Sequence, residues 1–130
     1  MLHRLLELYL SDIETIVNSI NNAHVEQYKE IILNTNRANL KIRIRYNNGF
    51  LLEINEAIVI LNEKIEHLYY RYHFQDINNM LIFRYDNAPH FPELSTFPHH
   101  KHLPEHPIDS FKPSIKMLFS EINNYLTKYH

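Results

Sequence analysis

The sequence predicts a single α+β domain over residues 1–130: an N-terminal helix, an antiparallel sheet of four to five strands built from hairpins, a long Pro/His loop and a C-terminal helix. Three observations carry this expectation. Apolar residues recur every three or four positions near both ends, they alternate with polar residues through the middle, and after Asp86 both periods stop. The chain is 45% hydrophobic and 22% charged, the composition of one ordinary core. A domain of this size buries roughly two thirds of the surface it exposes when unfolded.

At the N-terminus, Leu2, Leu5, Leu6, Tyr9, Ile13, Ile16, Val17 and Ile20 form one stripe, so a helix is expected from Leu2 to Ile20, ended by Asn21 and Asn22. Residues 24–39 fit two patterns. Val25, Tyr28, Ile31 and Ile32 suit a helix, whereas the run Ile31, Ile32, Leu33 suits a buried strand; a strand followed by a polar turn from Asn34 to Asn39 is the expected form. From Leu40 to Tyr46, Ile42, Ile44 and Tyr46 alternate with Lys41, Arg43 and Arg45 before Asn47, Asn48 and Gly49 turn the chain into Phe50 to Asn55. A two-residue loop would set Ile44 opposite Glu53. A three-residue loop pairs Ile44 with Leu52, Ile42 with Ile54 and Arg43 with Glu53, which keeps both faces consistent and puts Gly49 in the left-handed region.

A second hairpin is expected to join Leu68–Gln75 to Leu81–Asp86, with a loop centred on Ile77-Asn78 or on Asn78-Asn79. In either register Tyr69, Arg71, His73, Gln75, Arg84 and Asp86 share one side, joined by Arg43 and Glu53 if both hairpins lie in one sheet. Leu68, Tyr70, Tyr72, Phe74, Phe83 and Tyr85 make the apolar side, which the terminal helices are expected to cover. The stretch NAPHFPELSTFPHHKHLPEHP follows, about twenty residues long, stiffened by proline and expected to lie against an edge or end of the sheet. The last helix should carry Pro113 in its first turn after a Ser110 or Lys112 cap, with a stripe of Ile115, Leu118, Phe119, Ile122, Tyr125, Leu126 and Tyr129.

Composition excludes several chemistries. With no cysteine there is no disulfide framework, thiolate nucleophile or Cys-ligated metal site, and with one glycine there is no P-loop or GxGxxG. The net charge of −2, with His neutral, argues against a polybasic nucleic-acid arm. Ten histidines make that balance pH-dependent, and at about pH 6.5 it rises to about +3. The opening MLHRLLELYLSDIE carries Glu7, Asp12 and Glu14 and does not read as a signal peptide, and no window has the apolar length of a membrane span. A cytoplasmic protein with no membrane contact is therefore expected.

All six prolines fall between Pro89 and Pro113, and His90, His99, His100, His102 and His106 lie among them. Three readings of this cluster compete. Two histidines and an arginine suffice for RNA cleavage without metal: a base for the ribose 2′-OH, an acid for the leaving 5′-oxygen and a cation for the phosphorane. Alternatively, HHxH with His90 and Asp86 offers N and O ligands to a divalent ion, though in no standard closed-site spacing. The third reading has the histidines donating to loop carbonyls and only ordering the segment. Arg84 and Asp86 likewise read either as a cross-strand ion pair on a solvated face or as functional groups feeding the His loop. Arg43, Arg45 and Arg71 make a soluble face or, with Tyr69 and His73 interleaved, a track for one strand of nucleic acid. The row Tyr70, Tyr72, Phe74, Phe83 reads as core.

The segments YRYHFQ (Tyr70–Gln75), FRYDNAPH (Phe83–His90) and TFPHHKH (Thr96–His102) make the chain resemble the TumE family of toxin-antitoxin proteins. Asn48-Gly49, the strand that follows, and Glu56 also resemble the family pattern. Phe91 departs from it, standing where a His is common. The resemblance covers about Leu40 to Ile122 and implies a strand around Ile31. It further implies a small cytosolic toxin of a type II pair, neutralised by a cognate antitoxin protein.

From the residues themselves, the expected reaction is endoribonucleolytic cleavage with no metal and no cofactor. His99 and His102 are the candidate acid-base pair, Arg84 the phosphate stabiliser and Asp86 the orienting carboxylate, with His90 and His100 completing the candidate catalytic set as substrate contacts. Arg71, His73, Tyr72 and Arg43 are candidates for binding RNA. A homodimer is a candidate assembly. The rivals are a toxin or regulator that only binds protein, and a metal-dependent enzyme acting on nucleic acid or nucleotides.

Overall fold

The computed structural model describes residues 1–129, except for the side chain of Tyr129, which lies outside the described set. Helix α1 spans Arg4–Asn18 and helix α2 spans Ile115–Tyr129. Between them run β1 (Ala23–Asn34), β2 (Arg37–Tyr46), β3 (Leu51–Leu61), β4 (Lys64–Gln75), β5 (Leu81–Asp86), β6 (His100–His102) and β7 (Pro107–Asp109). All seven pair antiparallel in chain order, so every connection is local. The α+β class and the terminal helices are as expected, but the sheet has more strands than the four or five anticipated. The two extra strands, β6 and β7, come from the Pro/His segment, which hydrogen-bonds onto β5 and extends the sheet instead of lying beside it.

Turn chemistry explains the hairpins. Ile42, Arg43 and Ile44 face Ile54, Glu53 and Leu52 across the three-residue Asn47–Gly49 loop, with Gly49 at φ +93°. In the β4–β5 hairpin His73 faces Arg84, the register of a loop centred on Asn78-Asn79, and Asn79 takes φ +64°. The turn between β1 and β2 is shorter than the polar stretch suggested, because Arg37, Ala38 and Asn39 pair with Asn34, Ile32 and Ile31. One hairpin lay beyond the sequence reading. The chain runs straight from β3 into β4 through Asn62 and Glu63, both at positive φ (51° and 58°), a mirror-image turn made without glycine.

The side chains of Leu6, Leu10, Ile13 and Val17 on α1 and of Ile115, Leu118, Phe119 and Ile122 on α2 are buried against one face of the sheet. That face supplies Ile42, Ile44, Leu52, Ile54, Ile58, Tyr70, Tyr72, Phe74 and Phe83. Each such aliphatic or aromatic side chain contributes roughly 1.5–3 kcal/mol by leaving water. His3 starts α1 by accepting the Leu5 N–H on Nδ1 at 3.0 Å. Ser114 starts α2, its hydroxyl accepting the Met117 N–H at 3.1 Å, so the cap is Ser114 rather than Ser110 or Lys112, and Pro113 precedes the helix.

A bulge gives the sheet its functional geometry. Ala57 faces Tyr69 but Ile58 faces His67, so Leu68 is skipped and the facing of β4 reverses there. Leu68, expected on the apolar side, is exposed for that reason, and His67 turns to the helix-covered side beside Ile58.

Candidate active site

The open face of the sheet carries two adjacent cross-strand rows. One runs Arg43, Glu53, His73, Arg84, His102; the next runs Lys41, Asn55, Arg71, Asp86, His100, Asp109. Facing residues in such rows stand about 5 Å apart at Cβ. Arg84 is therefore flanked by one imidazole on β4 and another on β6.

Asp86, His100 and His102 form the tightest part of this face. The Asp86 Oδ1 atom accepts the Ala88 N–H at 3.0 Å and lies 2.9 Å from His100 Nε2. Asp86 Oδ2 lies 3.4 Å from Arg84 Nε and 3.9 Å from His102 Nε2, and the two imidazole Nε2 atoms are 3.1 Å apart. The His100 ring is 1% exposed, and its Nδ1 is 2.9 Å from the Pro98 carbonyl. A carbonyl only accepts, so His100 Nδ1 carries a proton and Nε2 faces the carboxylate. Phe91 sets its ring edge-on to both imidazoles, at centroid distances of 5.0 and 5.3 Å. His90 is exposed beside it, its ring 6.3 Å from that of Phe91.

On the other side of Arg84, His73 accepts the Arg71 Nη2–H on Nδ1 at 3.4 Å and donates Nε2–H to Gln75 Oε1 at 2.9 Å. Partial burial, reinforced by the Arg71 and Arg84 cations, holds its pKa below the ordinary imidazole value. Burial, then Arg84 and His100, lowers His102 in the same way. The neutral form of the His73 ring is thereby favoured. Arg43 is tied to Glu26 at 2.8 Å and to Glu53 at 3.2 Å, and Arg45 to Glu26. Arg84 pairs with Asp86 at 3.4 Å, so the positive charge nearest the imidazoles is that of Arg71 and Arg84. Among the described residues Asp86, His100 and His102 are also the set able to hold a metal ion.

Not every expected residue meets here. A strand alternates its side chains, so His100 and His102 share the open face while His99 turns to the other. There His99 Nδ1 is 2.9 Å from Tyr70 Oη, with the rings stacked at 5.7 Å. Tyr72 is also on the helix-covered side, fully buried, its hydroxyl donating to Glu56. The pairing of His99 with His102 and the placing of Tyr72 beside Arg71 and His73 are thus corrected by the alternation of β6 and β4.

Beneath the helices lies a second polar cluster that sequence reasoning left unassembled. Glu56 is 2% exposed; Tyr9 Oη donates to it at 2.6 Å, Tyr72 donates to its other oxygen, and His67 Nε2 lies 3.2 Å away. Burial pushes the Glu56 carboxyl up, but hydrogen bonds from His67, Tyr72 and Tyr9 with the attraction of His67 bring it below its ordinary value. Lys112 stands over the Tyr70 and Tyr72 rings at 5.8 and 5.5 Å, its pKa lowered by burial against the opposing pull of Glu56. The signal for this cluster was Glu56 itself, an acid at an apolar-face position. The bulge that delivers His67 left none.

Hollows lie away from Asp86, His100 and His102; the one beside Lys41, Asn55 and Tyr69 on the open face holds about 240 Å³. One of about 360 Å³ between the end of α1 and α2 is lined by residues such as Ile20, Asn22, Lys116 and Asn123, with neither histidine nor carboxylate. The open face thus presents its chemistry on a surface, which suits a polymeric substrate. No helix among the described residues is long and apolar enough to cross a membrane.

Comparison with the curated proteins and with the solved structures gives no match. The family model described as toxin TumE matches residues 12–129. The matched span takes in α1 from its third turn, the whole sheet and α2, with the open-face cluster inside it and the covered cluster inside it but for Tyr9. By that match over nearly its entire length, the chain belongs to the TumE toxin family, and so to the toxins of toxin-antitoxin systems, whose partner is an antitoxin.

Proposed function

We propose that this toxin is an endoribonuclease whose chemistry lies on the open face of the sheet, at Arg84 and the imidazoles on either side of it. The observation that carries the reading is the row His73, Arg84, His102, with Asp86 and His100 in the adjoining row. A phosphodiester laid over Arg84 would have a neutral imidazole on one side and a proton-holding imidazole pair on the other. His73 takes the 2′-OH proton on Nδ1, which Arg71 uncovers as its guanidinium turns to the phosphate, while the 2′-oxygen bonds to phosphorus. Arg84, with Arg71 nearby, stabilises the charge on the pentacoordinate phosphorus. The bond from phosphorus to the 5′-oxygen breaks, and that oxygen takes its proton from the imidazole pair His100 and His102 in the molecules where the pair carries an extra proton beside Asp86. The products are a 2′,3′-cyclic phosphate and a 5′-hydroxyl, and no metal is required. With Arg71 and Arg84 as the cations beside the imidazoles, the face grips a short stretch of RNA.

Purified protein incubated with end-labelled RNA in EDTA is the test. Cleavage to cyclic-phosphate ends is expected, falling at least about 100-fold in His73→Ala, His102→Ala and Arg84→Ala. No cleavage by the wild type, or cleavage unchanged in His73→Ala and His102→Ala, rejects the reading.

A further inference from the structure

The three atoms His100 Nε2, His102 Nε2 and one Asp86 oxygen lie within 4.8 Å of one another. Their proton count is incomplete. The one proton of a neutral His100 is committed to the Pro98 carbonyl, so its Nε2 meets the Asp86 carboxylate at 2.9 Å with no hydrogen between them. A neutral His102 can donate to His100 Nε2 but adds nothing on the line to Asp86. One positive charge is needed among the three atoms, and either a proton or a metal ion supplies it.

We propose that Asp86, His100 and His102 bind one divalent transition-metal ion of the zinc class. The two imidazole nitrogens are 3.1 Å apart and the carboxylate approaches them at 2.9 Å through Oδ1 and 3.9 Å through Oδ2, close to the spacing of about 3.3 Å between ligand atoms of a tetrahedral zinc site. The bond from His100 Nδ1 to a backbone carbonyl fixes the tautomer that ligates through Nε2, and the Ala88 N–H orients the carboxylate. Position comes from the sheet. His100 and His102 are two residues apart on one strand, and Asp86 faces His100 from the next. Two imidazoles with one carboxylate favour zinc, cobalt or nickel over calcium or magnesium, which take all-oxygen sets. Three protein ligands leave a fourth position open. Arg84, 3.4 Å from Asp86, repels the cation and holds the affinity below that of a closed structural site.

Binding has a consequence for the reaction that rests on the ribonuclease reading. An ion on His100 and His102 takes the lone pairs that would carry the proton for the leaving oxygen, so the loaded form does not cleave. The site would then couple toxin activity to free zinc.

The full chain, stripped with EDTA and desalted, is titrated with zinc chloride by calorimetry. One equivalent is expected, weakened at least tenfold in His102→Gln and unchanged in His106→Gln, whose side chain is exposed on the same segment. No saturable binding to the wild type, or equal binding by His102→Gln, overturns the site. A second measurement needs no variant: ¹⁵N spectra of the wild-type imidazoles should show Nε2 of His100 and His102 shifting with zinc while His106 stays, and unmoved Nε2 signals overturn the proposal. Binding decides the site whether or not RNA is cut. In the cleavage assay, zinc should lower the rate at least tenfold and EDTA restore it; bound zinc without inhibition rejects the assignment of the proton donor and leaves the metal site standing.

Discussion

At the scale of single residues, His73 is the group whose surroundings most directly set a measurable property. Partial burial disfavours its charged form first, the Arg71 and Arg84 cations add to this, and Glu53 opposes them from β3. A base must be neutral to act, so activity should persist as pH falls through the ordinary histidine value of 6.5 and fail only below it. The acid limb of kcat/KM is therefore expected below pH 6.5 in EDTA. Replacing Arg71 with Gln removes a like charge, so the same limb should move upward toward the ordinary value. A wild-type limb at or above 6.5, or a downward move in Arg71→Gln, would remove His73 from the role of base.

Among the elements, the hairpin of β2 and β3 shows how tightly one turn residue can be specified. Gly49 sits at φ +93°, and a Cβ built there would lie 2.7 Å from Ile77 Cδ1 on the neighbouring turn. Gly49→Ala combines backbone strain with that clash and should cost about 2 kcal/mol, lowering the melting temperature by roughly 5–10 °C. Ile77 is exposed, so the double variant Gly49→Ala, Ile77→Ala should recover part of the loss; equal loss in single and double variants would show that the clash plays no part. The register of this hairpin was readable because alternating apolar and charged residues allow one facing and Gly49 marks the turn. The hairpin of β3 and β4 was not, because Asn62 and Glu63 adopt positive φ without the glycine that usually announces such a turn. Likewise HHKH looked like loop amid its prolines. Only its pairing with Arg84, Tyr85 and Asp86 shows it as a strand, and that pairing separates His99 from His102.

Across the whole molecule, the sheet separates two polar clusters that the sequence interleaves along β3, β4 and β6. Arg84 and His73 belong to the open face, while Glu56, Tyr72 and His99 belong to the covered one. Position two residues apart or one residue apart in the chain decides the side, and the bulge at Leu68 alone inverts the rule for His67. If the open face holds the chemistry, stability and activity can be changed independently. Glu56→Gln leaves the hydroxyls of Tyr9 and Tyr72 and the ring of His67 facing a neutral amide in a buried site, a loss of roughly 2–4 kcal/mol. That variant should melt earlier yet cleave RNA at the wild-type rate per folded molecule at low temperature. Arg84→Ala removes a partly exposed side chain and should shift the melting temperature by no more than about 2 °C while cleavage is lost. Melting curves by circular dichroism, paired with cleavage rates on the same samples, make the comparison. A Glu56→Gln protein that melts as the wild type does but has lost cleavage would move the chemistry to the covered cluster of Glu56, Tyr70, His99 and Lys112.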